Sequence, residues 1–171
     1  MKQELEIKKK LEYVNSPSLG RISFIRMIEE LRNYISADDK RNYTIIIGTD
    51  SQQYMQTDFV TAIVIHRVGA GGRYFWIREK QDNLHFLRQR IYLEALKSLE
   101  VAQFMMSYIK EILKEEKDKS RFNIEIHVDI GENGKTKEMI KEVVGMIRGN
   151  GFEVKTKPLG YGAFVVADKH T

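Results

Sequence analysis

The chain has 171 residues, 42% of them hydrophobic and 30% charged, which suits one compact domain with its own core and leaves no room for a second of full size. It has no cysteine, which excludes a disulfide framework and a thiolate zinc site. No apolar run approaches the roughly 18 residues of a membrane span, and the charged opening MKQELEIKKKLEYVN lacks the apolar stretch of a secretion signal, so a cytoplasmic protein is expected.

The formal net charge is +4 and the pI about 9.1, with seven Lys/Arg against four Asp/Glu over residues 135–171. A basic surface favours phosphate-bearing partners but does not by itself specify nucleic acid.

In chain order, RISFIRMIEELRNYI (Arg21 to Ile35) spaces Ile22, Ile25, Ile28, Leu31 and Ile35 by three and four residues, which predicts an amphipathic helix approached through Pro17 and Gly20. Residues 1–40 are therefore expected to be an N-terminal helical extension, with the main domain over 41–171. Tyr43 to Gly48 reads as a buried strand that stops before Asp50. DFVTAIVIHRV (Asp58 to Val68) and RYFWIREK, joined through GAGG (Gly69 to Gly72), read as a hairpin. A long helix is predicted over about Leu87 to Lys114, then a strand FNIEIHVD ending at Asp129. After IGENG comes a helix with Met139, Ile140, Val143, Val144 and Ile147 as its buried stripe, stopped by GNG. FEVKTKP reads as a last strand, and YGAFVVADKHT as a short helix or an extended tail. Three antiparallel strands followed by alternating helix and strand predict an α/β fold around a five-stranded mixed sheet, the fourth strand lying parallel beside the first.

That topology puts Asp50 and Asp129 together at the carboxyl ends of neighbouring strands, about 4.8 Å apart. Two carboxylates so close repel unless a cation bridges them, and hard oxygen donors select Mg²⁺ or Mn²⁺. From the long helix, two glutamates compete to join them. At 100° per residue, Ile91, Ala95, Ser98, Ala102, Met105, Ile109 and Ile112 form the core stripe; Glu94 sits at its border and Glu100 nearly opposite, which favours Glu94. Asp168, near the C-terminus, is the fourth acid.

The segments IIIGTDSQ, RIYLEA, IEIHVDIG and VVADKHT resemble the ribonuclease H-like superfamily and, within it, an uncharacterised bacterial family, the YkuK-like proteins, which share GTDSQ, DIG…KT and a C-terminal AD. The resemblance covers about Tyr43 to the end. It implies a nuclease: two Mg²⁺ or Mn²⁺ ions held by Asp50, Glu94, Asp129 and Asp168, with Asp50 bridging, cleaving phosphodiester bonds of RNA or DNA. The longer helix and following loop depart from the compact ribonuclease H pattern and keep Glu94 versus Glu100 open. Ser51 and Gln52, beside Asp50, are candidate substrate contacts, as are Lys135 and Lys137 at a helix start.

Plainer roles exist for the same residues. Asp50 and Asp129 also suit turns or caps, Glu94 suits an ion pair with Arg90, and Asp168 a solvated tail. His127 reads as a packed strand histidine rather than a zinc ligand. DIGENGKT is not a phosphate loop, because the pattern needs Gly where Asp129 stands. His170 is a weak candidate for proton transfer. The alternative function is a non-catalytic nucleic-acid or ribosome-associated binding module on the same fold. An actin-like ATPase is disfavoured because it needs two copies of such a domain.

Overall fold

The computed structural model describes residues 11–53, 56–82, 84, 86–115, 119–131, 136–160 and 162–170. The first elements are a hairpin, β1 (Tyr13–Ser16) and β2 (Gly20–Ser23). Gly20 carries φ +70°, a left-handed value that glycine adopts without strain. Ser23 then caps α1 (Phe24–Ser36), its Oγ accepting from Arg26 N at 3.2 Å. This corrects the expected helix from Arg21. Ile22 pairs with Val14 in the hairpin, Ile25 is 53% exposed, and the buried stripe is Phe24, Met27, Ile28, Leu31 and Ile35. Starting the helix at Phe24 lets that residue, larger than the isoleucines on either side, pack edge-on against Phe104 at 5.0 Å and Tyr108 at 5.5 Å.

β3 (Tyr43–Gln53), β4 (Thr57–Arg67) and β5 (Gly72–Gln81) form the antiparallel meander. After α2 (Leu87–Glu115), β6 (Phe122–His127) returns parallel beside β3, and after α3 (Ile140–Gly149), β7 (Glu153–Lys155) lies parallel beside β6. α4 (Gly162–Asp168) ends the described fold. The sheet has seven strands in the order β2-β1-β5-β4-β3-β6-β7, not five. The five expected strands are its continuous part, and the hairpin extends it where Asn15 meets Trp76, Asn15 Nδ2 donating to Trp76 O at 3.3 Å.

Both faces of the sheet are covered. Ile45 and Ile47 of β3 enter the large core with α1, α2 and α3; Ile46 enters a smaller one with Val60, Ala62 and the α4 residues Ala163 and Ala167. That two-sided burial is why three isoleucines run together. The predicted α2 stripe is buried throughout, from Ile91 to Ile112. No helix among the described residues is long and apolar enough to cross a membrane.

β3 does not stop before Asp50. It stays paired with β4 to Gln53↔Thr57, whereas its pairing with β6 ends at Gly48↔His127. Past Gly48 the β6 side of β3 is therefore open, and the site lies there.

Candidate functional site

Strand alternation decides where the side chains of this stretch go. Thr49 and Ser51 face α2: Thr49 Oγ1 is 2.8 Å from Ser98 Oγ, and Ser51 Oγ donates to Glu94 Oε1 at 2.5 Å. Asp50 shares the other face with Ile46, the side covered by α4. The β3–β6 register runs Ile46↔Glu125 and Gly48↔His127, and two residues further on each chain come Asp50 and Asp129. The paired register ends before them, but the same alternation carried two residues on sets both aspartates on one face, and no other strand lies between β3 and β6.

A cavity of about 860 Å³ opens at this rim, lined by Asp50, Ser51, Arg90, Glu94, Asp129 and Lys157 among others. Burial pushes the Asp50 carboxyl up to about 6; the charges of Asp168 and Asp129 add to the push, while the Ser51 backbone and Lys157 oppose it. Burial likewise pushes Glu94 up to about 8, helped by Asp50 and Asp129 and opposed by the Ser51 hydroxyl and Arg90. Asp50 thus feels both Asp129 and Asp168, and Glu94 feels Asp50 and Asp129; Asp168, exposed at the end of α4, is not in the cavity lining. Glu100 does not line the cavity.

The other predicted contacts divide. Ser51 lines the cavity and is engaged by Glu94; Gln52 and Lys137 are exposed and outside the cavity lining; Lys135 lies outside the described residues. Thr136 does line it, its Oγ1 accepting from Gly131 N at 3.5 Å. His127 is packed as expected, 4% exposed, with Nε2 2.9 Å from Glu125 Oε2, and Lys155 Nζ reaches Glu125 Oε1 at 2.8 Å. His170 stacks on Trp76 with ring centroids 3.7 Å apart and is not in the cavity lining.

Lys157 is the residue that sequence reasoning missed. Its ammonium pairs with Asp129 Oδ1 inside the cavity. The only sequence signal was a basic residue following a short strand, which many loops contain.

The donor set is chemically suited to a hard divalent cation: all oxygen, carboxylate-rich, and with two members whose ionisation burial opposes. In position it is incomplete, since among the described residues no three Asp, Glu or His side chains are gathered tightly enough to hold one ion.

A family model described as Ribonuclease H-like matches residues 26–171, beginning inside α1. "Uncharacterized protein YkuK" of Bacillus subtilis (strain 168) is 34% identical over 161 residues, covering 90% of this chain and 94% of that protein. No solved structure matches the chain significantly. With its mixed sheet, its flanking helices and this match, the chain belongs to the ribonuclease H-like family.

Proposed function

We propose that the protein hydrolyses phosphodiester bonds of RNA or DNA at this cavity with Mg²⁺ or Mn²⁺, held by Asp50, Glu94 and Asp129 with Asp168 on the α4 side. Family membership supports a nucleic-acid role. The observation that carries the finer reading is that Asp50 and Asp129, each two residues past the last β3–β6 pair Gly48↔His127, line one cavity with the buried Glu94.

When bound, the ion supplies Lewis-acid polarisation of the phosphate and a more acidic water. The protein's own residues do the rest. Glu94, which burial favours in its protonated form, would serve as an anionic oxygen donor only after releasing that proton to solvent. Ser51 Oγ, donating to Glu94 Oε1, fixes that carboxylate's orientation. Arg90, whose Nε is buried without a hydrogen-bond partner, lines the same cavity and offers the phosphate a cationic contact.

The test is cleavage of labelled RNA and DNA by the purified protein in Mn²⁺. Asp50→Asn and Asp129→Asn should each reduce the rate by at least about a hundredfold with unchanged circular dichroism. A second reading, nucleic-acid binding without chemistry, draws on the Lys157–Asp129 ion pair, which neutralises one acid internally. Under it no variant cleaves, and both Asn substitutions leave binding intact or tighten it by removing repulsion from phosphate.

A further inference from the structure

The position of Lys157 is built by the backbone rather than by chance contact of a long side chain. Beyond β7 the chain continues beside the end of β6: Val128 N donates to Lys155 O at 3.0 Å and Lys157 N to Ile130 O at 2.9 Å. Glycines make the approach possible on both sides. A Cβ on Gly131 would stand 3.3 Å from Lys157 Cβ, and one on Gly160 would stand 2.5 Å from Lys155 O. Gly160 N closes the turn onto Thr156 O at 2.8 Å. The stem of Lys157 is thereby set against Asp129, and its ammonium enters the cavity that Asp50 and Glu94 also line.

We propose that Lys157 is a resident cation of this site that competes with the divalent ion for Asp129, so that metal loading and release of Lys157 are a single event. The inference rests on the acids being metal ligands, as proposed above. An ammonium and a divalent ion cannot both sit against the same carboxylate oxygen without strong mutual repulsion. The internal pair therefore sets a threshold. At low cation concentration Lys157 balances Asp129, and loading must supply enough binding free energy to displace it.

Calorimetric titration of Mn²⁺ into the full chain tests this without an activity readout. Lys157→Met keeps the apolar stem and removes the charge; its apparent Kd for Mn²⁺ should fall by about three- to tenfold at low salt. Lys157→Arg, which keeps the charge, should stay near the unsubstituted protein. In the unsubstituted protein, Mg²⁺ titration should shift the Lys157 Cε resonance as its contact with Asp129 breaks, a measurement that does not depend on a variant folding. If Mn²⁺ binds but Lys157→Met binds it equally or more weakly, or the Lys157 resonance does not move while Mg²⁺ binds, the competition is overturned and the metal reading stands. If Mn²⁺ binds neither protein, both fall.

Discussion

Asp50 and Ser51 are consecutive, yet the pleat sends them to opposite faces, Ser51 toward Glu94 on α2 and Asp50 to the side of Asp168. One peptide unit thus joins the two halves of the acid set. Glu94, raised from 4.5 to about 8 chiefly by burial, makes the metal-free protein pH-sensitive in a definite direction. Between those values the folded chain holds a proton that the unfolded chain has lost, so the contribution is complete below about pH 4.5 and lost as pH rises through about 8. Melting in a chelator should therefore weaken from about pH 5 to pH 9, and Glu94→Gln should flatten that slope and be the more stable protein at about pH 9 by about 1–3 kcal/mol. Parallel curves for the two proteins would mean that Glu94 ionises as an ordinary glutamate. The same shift predicts that Mn²⁺ binding near pH 7 releases about one proton, falling toward none by about pH 9. Titration in buffers of different ionisation enthalpy reads this directly, and a proton count independent of pH would contradict it.

At the scale of elements, the site exists because β3 outlasts its parallel partner. Much of this was legible in the sequence. The strict alternation of FNIEIHVD placed Asp129, the triple isoleucine placed a two-sided strand before Asp50, and the helical period separated Glu94 from Glu100. The end of β3 was misjudged because a polar stretch such as TDSQQ looks like a loop, whereas pairing with β4 carries it on to Gln53. Lys157 was not legible at all, since its position follows from backbone bonds to Ile130 and from the close approach at Gly160. Gly160→Ala would drive a Cβ to 2.5 Å from Lys155 O and 2.9 Å from Lys155 C, both backbone atoms. It should lower stability by about 1–3 kcal/mol in urea unfolding. Gly131→Ala meets Lys157 Cβ at 3.3 Å and Lys157 O only at an ordinary 4.0 Å, and should lose less than about 1 kcal/mol. Equal losses would show that the turn after β7 yields as easily as a side chain.

For the molecule as a whole, the decisive element is the one that the sequence showed least clearly. Strands of four residues, YVNS and GRIS, are too short to display alternation, so the first 40 residues read as a helix set before the domain. In the fold residues 11–40 supply part of its core: Val14, Met27, Leu31 and Ile35 are at most 1% exposed within the same cluster as Ile45, Met105 and Ile109. Tyr43, the first residue of β3, depends on the same region, its hydroxyl donating to Asp38 O at 2.8 Å and Ile35 O at 3.2 Å. Removing residues 1–40 would strip the cover from Phe104 and Tyr108 and leave that hydroxyl without these acceptors. Leu31→Ala alone should destabilise the chain by about 2–5 kcal/mol, a large part of the stability of a domain this size. The truncated chain should therefore lose its cooperative melt and bind a dye for exposed apolar surface. A truncated protein that still melts cooperatively within a few degrees of the full chain would show that α1 and the hairpin rest on a core already closed, and that the site depends on the five continuous strands alone.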